Sequence, residues 1–225
     1  MNQEVVRQIG QFRHRSIKEL VDFVFTVGNG CIKPWQIKTE IQQLLEMVRG
    51  LRPKTIIEIG TATGGTLFLF CRIAEPDACI ISVDLPGGRF GGGYDVSRAA
   101  LYKAFALPKQ RLHLIRASSH DQATFEQIRL IIGQSLVDFL FIDGDHTYAG
   151  VKSDFQMYSP LVTTSGIVAL HDLISDTRET GCEVCVFWRE IKRHYAWTEL
   201  IHKPEWRRGG IGVLRCRPGD RWGVK

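Results

Sequence analysis

Apolar positions along this chain recur with two different periods, and the switch between them outlines the fold. Ile37, Ile41, Leu44, Leu45 and Val48 follow the three- and four-residue spacing of a helix with one buried face. Residues 2–27 and 35–50 read as two amphipathic helices, parted by Gly28-Asn29-Gly30 and Pro34. The run Thr55-Ile56-Ile57-Glu58-Ile59 shows no alternation, as expected of a strand covered on both faces in a parallel sheet. Comparable runs predict strands near 55–60, 79–84, 111–116, 137–142 and 166–171. Helical patterns occupy 65–75, 95–106, 121–132 and 147–158 between them. This succession predicts a doubly wound α/β sheet with right-handed crossovers. A helix over 181–193 then leads to Trp197–Ile201 and Ile211–Arg215 with no helix between, which predicts an antiparallel hairpin at one sheet edge. Residues 1–50 are expected to form an N-terminal helical cap, and residues 51–225 one compact unit.

Candidate chemistry gathers at the strand ends. Strand one runs into Gly60-Thr61-Ala62-Thr63-Gly64-Gly65, where glycines let backbone approach a ligand closely and a helix N-terminus follows. Strand two ends at Asp84, a carboxylate able to accept two hydrogen bonds from a ribose diol. A nucleoside-bearing cofactor across these two strands is the expectation. The turn does not read G-x-G-x-x-G, which disfavours a dinucleotide, and the absence of G-K-[ST] excludes a P-loop. Strand four delivers Asp143-Gly144-Asp145-His146, and strand five delivers His171-Asp172. Adjacent strand tips lie about 4.8 Å apart, so Asp143, His171 and Asp172 can converge on one divalent cation. His146, with an ordinary imidazole pKa of about 6.5, suits a general base. Asp145 is expected to cap the helix over 147–158. The glycine-dense segment 86–93 reads either as a surface loop or as a lid whose Arg89, Phe90 or Tyr94 touches ligand.

Composition narrows the class further. A chain of 225 residues, 44% hydrophobic and 24% charged, can bury one sizeable core. No apolar run reaches membrane-spanning length, and the stretch 20–27 is broken by Asp22 with no cleavage site after it. No membrane span is expected, and the expected location is cytoplasmic. Cys182-x-x-Cys185 stands without a second pair and is expected to pack a helix start rather than bind zinc. The net charge of +5 is concentrated in residues 189–225, which hold ten Lys/Arg against four Asp/Glu. The basic residues interleave with structural signals and form no tail, so the expectation is a solvated face and no nucleic-acid partner.

The segments EIGTATGGT, VDLPGGRFGGG, LIRASSHD, FLFIDGDHTYAGVKSD, GIVALHDL and FWREI…GIGVL carry a resemblance. From Ile32 to about Leu214 the chain resembles the class I S-adenosylmethionine (SAM)-dependent methyltransferase family that includes sugar O-methyltransferases and cephalosporin hydroxylase-like proteins. That resemblance implies a seven-stranded, mostly parallel sheet ordered 3-2-1-4-5-7-6. It implies SAM as cofactor, with Glu58, Gly60, Thr61 and Gly64 shaping its loop and Asp84 holding the ribose. Ser118, Ser119 or His120 would line the adenine, and the sulfonium would face Asp143. Metal-dependent relatives place a divalent ion on an Asp of strand four and an acidic pair after strand five. Their base is a His three positions past the first Asp, matching Asp143 and His146 here. His171 stands where an acid is expected, which weakens the case for Mg²⁺ and leaves a transition metal, or no metal, open.

The expected activity is methyl transfer from SAM to a hydroxyl of a small-molecule acceptor, sugar- or glycoside-like, with Trp35 and Gln36 covering the acceptor side. Two rivals stay open: a metal-dependent hydroxylase or hydrolase on the same fold, and a non-catalytic module for an anionic partner. The amphipathic N-terminal segment is a candidate homodimer contact.

Overall fold

The computed structural model describes residues 3–13, 15–88, 90, 92–175 and 180–223. Seven strands build one sheet: β1 (Thr55–Ile59), β2 (Cys79–Val83), β3 (Arg111–Ile115), β4 (Val137–Ile142), β5 (Val162–His171), β6 (Ala196–Leu200) and β7 (Ile211–Arg215). Their spatial order is β3-β2-β1-β4-β5-β7-β6, as the sequence implied. The first five run parallel, and β7 lies antiparallel between β5 and β6. All five residues of β1 are buried, because β2 and β4 flank it and helices cover both faces.

Strand alternation splits the core in two. Ile56, Ile80, Phe139, Phe141, Ile167 and Val213 point to one face, and Ile57, Ile81, Leu140, Ile142, Val168 and Leu214 to the other. The first face is covered by α1 (Gln3–Gln11), α2 (Ile17–Gly30), α3 (Lys38–Arg49), α4 (Gly65–Ile73) and α5 (Ala99–Lys103). The second is covered by α6 (Gln122–Ile132), α7 (Tyr148–Tyr158) and α8 (Val184–Ile191). No helix among the described residues is long and apolar enough to cross a membrane.

Three predicted elements need correcting. The helix expected over 2–27 is two helices, because Ser16 caps a new start: its hydroxyl accepts from the Glu19 amide at 3.1 Å, and Glu19 reaches back to the Arg15 amide at 2.8 Å. This S-x-x-E box was readable, but the continuous apolar period across it hid the break. The helix expected over 95–106 is a 3-10 turn, Val96–Arg98, running into the short α5. Strand β5 begins at Val162 rather than near 166, since exposed Thr164 and Ser165 mask its first residues and the register shifts between Val137 and Phe139.

One buried carboxylate ties the N-terminal helices to the far end of the chain. Glu40 of α3 accepts from the amides of His202 and Gly210, each at 2.9 Å. Both donors lie in the β6–β7 connection, which is thereby held against the start of α3. Glu40→Ala would leave two amides without acceptors. We expect a loss of about 2–4 kcal/mol of unfolding free energy, measured by urea denaturation. A change below about 0.5 kcal/mol, the scale of ordinary surface substitutions, would show that the tie carries no stability.

Candidate active site

A cavity of about 1110 Å³ opens at the carboxyl ends of β1, β2, β4 and β5, where ligands bind in open α/β sheets. Gly60, Asp84, Ser118, Ser119, His120 and Asp143 line it, with His146, His171 and Asp172. Glu58, Thr61 and Gly64 do not: Thr61 and Gly64 belong to the buried side of the turn, and Glu58 lies beneath it.

The layer beneath the turn is polar and fully enclosed. The hydroxyls of Thr66 and Ser82 donate to Glu58, each at 2.6 Å, and Thr61 hydrogen-bonds Ser82. Burial, opposed by these two hydroxyls and reinforced by Asp84 and Asp143, lifts the Glu58 carboxyl to about 8. The glycines of the turn answer mainly to packing. A Cβ on Gly60 would collide with the Asp143 carbonyl, and one on Gly64 with the Tyr102 ring. Ala62 takes a positive φ of 43°, held between its amide's bond to Asp84 (2.8 Å) and the Tyr102 hydroxyl on its carbonyl (2.7 Å).

Asp84 is 4% exposed and accepts on both oxygens, from the Ala62 amide and from the Gly93 amide at 2.9 Å. The Thr61 and Leu85 backbone groups also interact with this carboxylate, which lines the cavity beside Gly60. The Gly93 bond also fixes the end of the 86–93 segment. Within that segment Phe90 stacks on the His146 ring, centroids 4.9 Å apart. Tyr94 is buried against Tyr102 instead, and Arg89 lies outside the described residues. After β3, His120 Nε2 lies 3.2 Å from buried Asp154, and that carboxyl group raises the imidazole above its ordinary range. Nothing in the sequence flagged Asp154, because it lies on the inward face of α7, remote in sequence.

At the other end four side chains form a compact network. His146 Nε2 lies 3.3 Å from Asp143 Oδ1, and its Nδ1 lies 3.2 Å from Asp172 Oδ2. His171 Nδ1 lies 3.0 Å from Asp143 and 3.6 Å from Asp172. Gln36 donates to Asp143 at 2.6 Å, and Ser175 donates to Asp172 at 2.7 Å. Asp172 itself sits at φ 66°, a left-handed conformation that Asp tolerates better than most residues. Burial resists ionisation of Asp143, yet the charges and hydrogen bonds of His171 and His146 hold its carboxyl far below the usual range. Burial also opposes charge on His146, but hydrogen bonds to Asp143 and Cys182 and the two carboxylates raise it to about 11. For His171 burial is likewise outweighed by Asp143 and Asp172, giving about 9. An imidazole of ordinary pKa, which the sequence suggested for His146, is therefore not what this network holds.

One further expectation is corrected here. Asp145 does not cap α7: Thr147 does, accepting from the Gly150 amide, while Asp145 accepts from the Thr147 amide. Cys182 packs into the core just before α8, as expected, and its buried thiol also lies beside His146 and Asp172. Ligand atoms of Asp143, His171 and Asp172 lie within 4.8 Å of one another, and so do those of His146, Asp172 and Cys182.

Residues 57–173 match the family model described as a methyltransferase domain. Among curated proteins, y4gI of Sinorhizobium fredii is 32% identical over 64% of this chain and 16% of its own length. R132 of Acanthamoeba polyphaga mimivirus is 30% identical over 52% of this chain and 51% of its own length. The chain thus spans about half of one of these relatives and about a sixth of the other. Three solved structures share the fold. CalS11, a TDP-rhamnose 3′-O-methyltransferase of calicheamicin biosynthesis, is 18% identical with TM-score 0.59, covering 97% of this chain and 93% of that one. TomG, an O-methyltransferase from Streptomyces achromogenes in complex with SAM, is 15% identical with TM-score 0.58, covering 96% and 100%. MycE, bound to Mg, SAH and mycinamycin VI, is 16% identical with TM-score 0.58, covering 100% and 65%.

The raised carboxyl of Glu58 links stability to pH. Between 4.5 and about 8 the folded chain keeps a proton that the unfolded chain releases. Stability from this group is thus complete below 4.5 and lost as pH rises through 8. Glu58→Gln removes the titration, so its stability relative to the native sequence should grow by a few kcal/mol from pH 5 to pH 8. Urea melts of both proteins at the two pH values check this. Parallel pH dependence in the two would refute it.

Proposed function

Because the chain belongs to the class I SAM-dependent methyltransferase family, we propose that it transfers the SAM methyl group to a hydroxyl of a small-molecule acceptor, sugar- or glycoside-like. One observation carries this reading: a single cavity joins the glycine turn and Asp84 at one end to the Asp143–His146–His171–Asp172 network at the other. Adenosine would rest between Gly60 and Asp84, with its ribose diol on the Asp84 carboxylate and the base beside Ser118, Ser119 and His120. The sulfonium would then face Asp143, whose anionic state suits a cation. CalS11, a TDP-rhamnose 3′-O-methyltransferase, supports a sugar hydroxyl as acceptor, and MycE, solved with mycinamycin VI, a small-molecule one.

His146 would take the acceptor proton as the oxygen attacks the methyl carbon in line and the sulfonium leaves as a thioether. With its pKa at about 11, His146 starts protonated at neutral pH, so something must lower it. A cationic sulfonium beside Asp143 does so by weakening the ion pair that holds the proton. Residues 1–50 would act as the acceptor-side cap, with Trp35 and Gln36 facing the cavity.

A divalent ion fits the donor set. Asp143, His171 and Asp172 converge: their ligand atoms lie within 4.8 Å of one another, with His171 Nδ1 facing both carboxylates. The imidazole and the nearby Cys182 thiol favour a transition ion over Mg²⁺, which prefers oxygen. Such an ion, when bound, supplies Lewis acidity to an acceptor oxygen.

Asp143→Ala should cut turnover at least about 100-fold while S-adenosylhomocysteine affinity, read by calorimetry, changes little. Equal loss of both would place the chemistry elsewhere. Without added metal, kcat/KM should climb with pH from 7 to 10 as His146 gives up its proton, and His146→Gln should flatten the climb. A flat profile in the native sequence would remove His146 as the base.

A further inference from the structure

Charge within the cavity is segregated. Its acids, Asp84, Asp143, Asp145 and Asp172, all sit at strand ends on the floor. Its lysines and arginine come from the covering segments instead: Lys33 and Lys38 from the α2–α3 region, and Arg208 from the β6–β7 connection. Lys38 is compensated by Asp22 at 2.6 Å. Among the described residues, neither Lys33 nor Arg208 lies within ion-pair distance of a carboxylate. Both are exposed at the mouth, and both segments are anchored. Thr63 donates to the Lys33 carbonyl at 2.8 Å, and Glu40 holds Gly210 two residues beyond Arg208. The Arg208 guanidinium lies 5.4 Å from the ring centre of Trp206, which lines the cavity and is 43% exposed.

An acidic floor suits the sulfonium of the cofactor, but it repels an anion. The rim instead pairs cations with an aromatic ring: Lys203 and Arg208 lie over Trp206, at 5.2 and 5.4 Å from its centre, and His202 meets its edge. Such a rim concentrates anions at the mouth, offers a guanidinium fork to paired phosphate oxygens and presents a flat surface to a ring. We infer that the acceptor carries a phosphate or diphosphate group, gripped by Lys33 and Arg208, with a ring of the same molecule against Trp206. This rests on the methyl-transfer reading of the same cavity and adds the acceptor's chemical class to it.

Calorimetry on the full chain tests both levels. S-adenosylhomocysteine is titrated first; the saturated protein is then titrated with inorganic pyrophosphate, uridine diphosphate and uridine. Pyrophosphate and uridine diphosphate should bind, and uridine should bind at least tenfold more weakly than the diphosphate. Lys33→Ala with Arg208→Ala should weaken both phosphate compounds roughly tenfold or more and leave S-adenosylhomocysteine affinity intact. Trp206→Ala should weaken uridine diphosphate but not pyrophosphate. If pyrophosphate fails to bind, or binds the double variant as tightly as the native protein, the inference is overturned while the methyl-transfer reading stands. If the double variant loses S-adenosylhomocysteine affinity instead, the two cations serve the cofactor and the inference is again overturned. Absence of S-adenosylhomocysteine binding to the native protein fails the underlying reading, and the inference with it.

Discussion

The turn after β1 and the tip of β4 press together with no room for a side chain between them. Gly60 donates its amide to Val83 at 2.8 Å, Asp143 donates its amide to Ile59 at 2.8 Å, and a Cβ on residue 60 would strike the Asp143 carbonyl. This one backbone contact makes three strand ends a single rigid edge. The β2 tip carries Asp84, the β1 tip the turn, and the β4 tip the ionised network. Their relative placement follows from parallel pairing and does not depend on any flexible side chain.

Behind and above that edge, polar groups are arranged by enclosure. Glu58, Thr66, Ser82 and Thr61 saturate one another under the turn, where an unpaired group would cost far more than a paired one. Arg98 and Tyr102 brace the same turn from outside: Arg98 donates to the carbonyls of Cys31 and Thr63, and Tyr102 donates to that of Ala62. The strained backbone at Ala62 persists because these bonds leave it no alternative.

The Asp143–His146–His171–Asp172 network balances two acids against two imidazoles in a largely buried setting. Removing one partner of such a network exposes the others to an uncompensated charge. The same balance holds protons on both histidines at neutral pH. Gln36 couples this to the N-terminal helices through its bond to Asp143.

Runs of apolar residues and strand-end polar residues were enough to read the sheet, its order by resemblance, and the placing of Asp84, Asp143, His146, His171 and Asp172 at one edge. These features are local: a strand's burial shows in its own composition, and parallel topology puts strand ends together. The long-range partners were not readable. Gln36 reaches Asp143, Cys182 reaches His146 and Asp172, Asp154 reaches His120 and Glu40 reaches the β6–β7 connection, and only packing in three dimensions brought them there. The protonation states changed for the same reason, since the field around His146 and Glu58 is set by burial and by neighbours across the fold rather than by adjacent residues. Short-range periodicity determined the scaffold and its chemical edge, whereas long-range contacts and a low-dielectric interior decided what state that chemistry is held in.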